Sequence, residues 1–219
     1  MRMHEVDERD SSWENDAPRF RIYVFEDAEN AVSTFDLLGA TVEEALEAAR
    51  VQSGDDRHLW SLALVHDDGR AGRGLVWLSG NDYNDVPPSV DEASYWRARG
   101  VMQDRYLSAR SRAGDAVVLP TGERLIRFFP EWGADLPLWE SFTENYPVKR
   151  SALPLPATLE IDLAAWNMRW QELSGTREPG LEARWHEWER EGVRLRAHLQ
   201  SALDGIAELR PEFIGGSPR

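Results

Sequence analysis

The chain has 219 residues, a formal net charge of −14 and no cysteine. A chain of this length buries enough apolar surface to fold without staples, and the missing thiols exclude a disulfide framework, thiol catalysis and every thiolate-bound metal. The acidity disfavours nucleic acid and anionic lipid, which are held by neutralising phosphate with Lys and Arg; no stretch approaches the roughly 18 apolar residues of a membrane span, and the acidic start MRMHEVDERDSSWENDAPRF is not a signal peptide, so a cytoplasmic protein is expected.

Residues 1–18 are polar and aperiodic and read as a flexible acidic tail. Residues 19–149 read as an α+β domain. FRIYVF (Phe20 to Phe25) has the β-branched and aromatic content of a strand, and AVSTFDLL supplies a second. Thr41 and Glu44 form a capping-box pattern that opens a helix; Val42, Ala45, Leu46 and Ala49 give it an apolar face and Gly54 ends it. Leu59 to Val65 is apolar at both alternating sets of positions, as an interior strand requires, and it returns through Asp68-Gly69 into Leu75 to Leu78. Pro87 and Pro88 take the chain out of the sheet. Ser89 with Glu92 is a second capping-box pattern, opening a helix anchored by Trp96, Val101, Met102 and Tyr106 and stopped by Gly114. AVVLPTGERLIRFF reads as a hairpin turning at Pro120, Thr121 and Gly122. The aromatic-rich link PEWGADLPLWESFTENYPV is too apolar for a solvated linker and is expected to pack across the domain.

Residues 150–212 read as a helical hairpin, followed by a flexible tail at 213–219. Leu159, Leu163, Trp166, Trp170 and Leu173 step by four, three, four, three; Leu181, Trp185, Trp188, Leu195, Leu199, Ala202 and Ile206 continue the pattern, with Gly192 at the missing step. This is the seam of two packed helices joined by SGTREPG. Four tryptophans are thereby explained as a core. A base-stacking platform needs interleaved positive charge, whereas these rings are bordered by Glu172, Glu182, Glu187, Glu189 and Glu191, offset by arginines, as on a solvated face.

The runs LPLWESF, LPLPATLEIDLAAWNMRWQEL and WHEWEREGVRLRAHLQSAL resemble a recurrent ending in small proteins of GC-rich Gram-positive bacteria, in which a leucine-proline lead precedes a Trp-bearing helix and a second helix with an E-G-x-x-L-x-x-x-L pattern. The likeness covers about the last third of the chain and implies no activity. It departs at the first helix start, where Pro156-Ala157 stands instead of Ser-Pro.

The expected architecture is α+β: a mostly antiparallel sheet with two helices on one face, plus the C-terminal helical hairpin. No cofactor, metal or catalytic pattern is found. GRAGRG lies in a strand–strand turn without a following helix; His186-Glu187 has Arg190, not histidine, one turn later; His58 and His66 flank one strand at its opposite ends, roughly 26 Å apart. The charge is uneven: residues 1–18 carry 2 basic and 6 acidic side chains, 19–88 carry 6 and 13, 89–149 carry 8 and 9, and 150–219 carry 9 and 11. An acidic surplus in the first 88 residues suits a basic protein partner. The candidate contacts are Asp55, Asp56, Asp67, Asp68, Asp82 and Asp85, all at strand ends where side chains are exposed and positioned by the sheet. The leading expectation is a non-enzymatic binding protein, an inhibitor of the immunity-protein or antitoxin kind. The alternatives are a hydrolytic enzyme with a carboxylate site near Asp82 and Asp85, and an acidic mimic of nucleic acid.

Overall fold

A computed structural model describes residues 3–26, 31–85, 92–176 and 180–214. Strands β1 (Arg19–Phe25), β2 (Val32–Leu38), β3 (Leu59–Asp68) and β4 (Gly72–Ser79) form an antiparallel sheet in the order β2-β1-β3-β4. Its two faces follow from the period-2 alternation of β1 and β3. Phe20, Ile22 and Val24 oppose Leu64, Leu62 and Trp60, and helix α1 (Val42–Gln52) presses Ala45 and Ala49 onto this apolar face. The Thr41–Glu44 capping box forms as expected, with Thr41 accepting from the Glu44 backbone and Glu44 from that of Thr41.

Phe25 and Leu59, opposed in register, point to the other face. There helix α2 (Ala93–Ala113) contributes Met102, Tyr106 and Leu107. The fold is therefore α+β with a mostly antiparallel sheet, but α1 and α2 lie on opposite faces of it, not on one. The both-sided apolar pattern of β3 already requires cover on each side. Gly114 ends α2 in the left-handed conformation, φ +76°. Its expected cap Ser89 lies outside the described residues; the helix begins after Glu92 without a side-chain cap.

A second sheet is built by β5 (Arg124–Phe128), β6 (Leu138–Trp139) and β7 (Ala207–Pro211), in the order β6-β5-β7 with β7 parallel to β5. The expected hairpin around Pro120 is thus half right. The turn forms: the Gly122 N–H donates to the Leu119 carbonyl at 2.8 Å, with Gly122 at φ +85°. Its first arm is no strand, and β5 pairs instead with the short β6 that follows it and with the distant β7. The aromatic link packs as anticipated, burying Leu136, Leu138, Trp139 and Val148.

Helices α3 (Ala157–Gly175) and α4 (Glu182–Ala202) form the hairpin. Trp166 and Trp188 stack at its centre with ring centroids 4.5 Å apart and planes 11° from parallel. Each indole N–H donates to the other residue's backbone carbonyl, at 3.0 and 3.2 Å. Both polar handles are thereby matched, so both rings are fully buried without leaving an orphan donor. Trp170 and Trp185 are half-buried at the margin; Trp170 packs on Trp132, and Trp185 meets Trp188 edge-on. Ile206, read as the end of the seam, lies instead in the turn before β7 and is exposed. Phe213, expected in the tail, is a core residue set edge-on against Phe128 and Trp166. No side chain caps α3 at Pro156.

Candidate functional site

The six acidic candidates fall at two ends of the first sheet. Asp55 and Asp56 precede β3, both with positive φ, 60° and 67°. These are left-handed positions that aspartate tolerates better than most side chains. Asp55 pairs with Arg50, and Asp56 accepts the Trp60 indole N–H at 2.7 Å. Asp67 lies eight residues beyond Leu59, roughly 26 Å away at strand rise. It opposes Arg73 across the hairpin at 2.7 Å, and the hydrogen bond from Arg73 holds its carboxyl below the usual carboxylate range. The Asp68 side chain lies outside the described part of the chain. At the same hairpin end Trp13 of the N-terminal segment stacks on His66, 5.7 Å between centroids.

Asp82 and Asp85 follow β4, which runs antiparallel to β3 and so returns them to the Asp55–Asp56 end of the sheet. Asp82 accepts the Asn84 backbone N–H at 3.1 Å, and the Tyr95 hydroxyl donates to the backbone carbonyls of both Asp82 and Asp85. These bonds define a turn whose carboxylates carry no ion pair among the described residues. No third histidine, aspartate or glutamate converges with them on a metal-sized site among the described residues.

The ionic centre of the molecule lies elsewhere, on residues that sequence reading passed over. Arg99 of α2 donates a two-pronged bond to Glu208 of β7, at 2.8 and 2.9 Å, and its guanidinium covers the Tyr83 ring. Gln103 donates to the same carboxylate. Arg210, only 2% exposed, donates to the Gly100 carbonyl, to Asp104 and to Glu212, which also receives Arg127. Burial pushes the Glu212 carboxyl up, but Arg127 and Arg210 together hold it below its ordinary value. A cleft of about 370 Å³ opens over this ladder between Trp96, Arg97, Val101 and Glu212. Glu212, on its wall, is held ionised by Arg127 and Arg210 and so is not poised as a general acid. The ladder's work is to join α2 to the second sheet. Its sequence signal is the arginine-rich helix 89–112, of which Arg99 meets Glu208 and the Tyr83 carbonyl, Arg105 the Ser79 hydroxyl and the Trp60 carbonyl, and Arg110 the Ala116 carbonyl.

The more open feature is the free edge of β4. Between Arg73 and Ser79 this strand has no charged residue, and Val76 and Leu78 are 53% and 45% exposed. The opposite edge strand, β2, carries Asp36 in ion pairs with Arg19 and Arg21, a charged edge that resists pairing. Beside β4 a groove of about 520 Å³ runs to α2, walled by Trp77, Leu78, Tyr95, Ala98 and Val101, with one carboxylate, Glu92, and one guanidinium, Arg97, also on its lining. Asn81 lies in its floor. The Asn81 amide donates to the Tyr95 carbonyl at 3.1 Å, which fixes which end is nitrogen, and the buried amide oxygen is left without a donor.

Against known proteins, no family model matches the chain, and no curated protein or solved structure matches it either.

Proposed function

We propose that the protein is a non-enzymatic acidic binding protein that covers a basic protein partner, an inhibitor of the immunity-protein or antitoxin kind. The observation that carries this reading is a contrast between two sets of carboxylates. Those turned inward, Glu140, Glu208 and Glu212, are each matched by arginine. Glu92 on the groove beside β4, and Asp82 and Asp85 in the turn that the lining residue Tyr95 holds, have no ion pair among the described residues. Unmatched carboxylates beside an apolar groove complement a cationic partner with an apolar centre, and they speed its encounter.

The test is capture from a lysate of the source organism with the wild-type chain and with the double charge reversal Asp82→Lys/Asp85→Lys, followed by association kinetics on the captured protein over a salt series. The expected partner is basic. Its association slows with salt, because exposed charges are screened beyond roughly 8 Å at physiological ionic strength, and slows again with the reversal. Recovery of no protein, together with chelator-sensitive hydrolysis of a phosphoester or peptide panel that the reversal abolishes, would overturn this reading in favour of an enzyme.

A further inference from the structure

We infer that the free edge of β4 receives an extended, basic segment of the partner as a fifth strand of the first sheet, with an apolar side chain in the groove between β4 and α2 and flanking cations toward Asp82, Asp85 and Glu92. This rests on the basic-partner reading and adds to it the mode of recognition. Three observations converge on the same place. First, the order β2-β1-β3-β4 leaves the outer N–H and C=O groups of β4 without a strand partner among the described residues, a template that another chain can extend. The strand run Leu75-Val76-Trp77-Leu78 has none of the charge or proline by which edges are usually protected.

Second, alternate side chains of an added strand point to opposite faces, and one face here meets the groove, whose walls are Trp77, Leu78, Tyr95 and the 45%-exposed Val101. Third, Asn81 sits just past the end of β4 with an amide oxygen that is buried and unmatched. A buried acceptor without a donor is destabilising by itself, and it lies in the floor of the groove that an added strand would cover. Charge decides the occupant. A second copy of this chain would bring another net −14 to the same edge, whereas a lysine- or arginine-bearing segment meets Asp82, Asp85 and Glu92, which have no ion pair among the described residues and outnumber the groove's Arg97.

The experiment uses the full chain and three synthetic probes: a seven-residue peptide of alternating lysine and valine, the same peptide N-methylated on alternate backbone amides, and its counterpart with glutamate for lysine. Binding is read by fluorescence anisotropy. The lysine–valine peptide is expected to bind. N-methylation, which blocks the strand ladder and keeps the charge, should weaken it by at least about tenfold, as should Val76→Asn/Leu78→Asn, both at exposed positions. Phe35→Asn on the β2 edge should leave it unchanged, and thermal melts of each variant confirm folding. Equal binding of the methylated peptide, or an effect of Phe35→Asn in place of the β4 changes, would overturn strand addition at β4 while leaving the basic-partner reading intact. No binding of the lysine–valine peptide at millimolar concentration overturns the inference as well. Equal binding of the glutamate peptide would overturn both.

Discussion

Gly192 sits inside α4 where a glycine is ordinarily a weakness, and replacing it by alanine sets two known effects against each other. Alanine improves helix propensity by about 1 kcal/mol. Against that, a Cβ at this position would lie 2.6 Å from Cε2 of Phe213 and 2.9 Å from Cζ2 of Trp166, far inside the roughly 3.5–4.0 Å of favourable carbon contact. Neither ring can step aside cheaply. Trp166 is stacked on Trp188 and tied to it by the reciprocal indole bonds, and Phe213 is wedged edge-on against Phe128, Trp166 and Trp188. Overpacking a rigid site costs about 1–3 kcal/mol, and three locked rings place this one at the upper end. Gly192→Ala should therefore destabilise by about 2 kcal/mol net, measured as a lower urea midpoint at unchanged slope. In a Phe213→Ala background the nearest obstacle is gone and the effect of Gly192→Ala should shrink or change sign, a coupling that a double-mutant cycle reads directly. If Gly192→Ala is neutral or stabilising in the wild-type background, the aromatic cluster is looser than its geometry implies and the reasoning fails.

The other predictions address the seam, the ionic ladder and acid stability. Trp166→Ala should cost about 3–5 kcal/mol, and Trp185→Ala clearly less, because only part of that ring is buried; equal losses in denaturant melts would contradict the burial difference. Glu208→Ala strips Arg99 and Gln103 of their shared acceptor and should cost about 3 kcal/mol, whereas a loss below about 0.5 kcal/mol, the level of an exposed pair, would mean that Arg99 finds water. Burial raises the Glu140 carboxyl, but the Arg124 fork and bonds from Asn145 and Thr143 bring it below the ordinary 4.5. A depressed carboxyl contributes stability that is present above its unfolded pKa and lost as pH falls through the folded one. Glu140→Gln should thus flatten the loss of stability below about pH 4.5, measured by urea melts across that range; an unchanged acid slope would show that Glu140 gains nothing from Arg124.

What could be read from sequence was local. The Thr41–Glu44 cap, the strand Phe20 to Phe25 and the Leu119–Gly122 turn each depend on residues within a few positions of one another, and all three form. The α3–α4 seam was legible because a repeat of three and four survives over five turns. The misreadings involve distance. A turn at Pro120 does not require its arms to pair, and β5 finds β7 some eighty residues on through the register Arg124↔Ala207 to Phe128↔Pro211. The strand AELRP is short and carries two charges, so neither periodicity nor propensity marks it; its glutamate is matched by Arg99 of α2, and its arginine by Asp104 of α2 and by Glu212. Of the candidate site, the acidic turns were visible in composition, but the groove, the bare β4 edge and the unmatched Asn81 oxygen depend on where α2 lands.

The parallel pairing of β5 with β7 also bears on how the chain is made. Synthesis runs from the N-terminus, and domains tend to fold as they emerge. The first sheet with α1 has every strand in hand once Ser79 is complete. Helix α2 follows at once, yet Arg99 must wait for Glu208, 109 residues later, before its charge is matched. Through that interval β5 has, among the described residues, only the two-residue β6 beside it. The nascent protein thus exposes a half-built sheet and an uncompensated arginine face until its closing strand is translated, which makes β7 the step on which the whole second half depends.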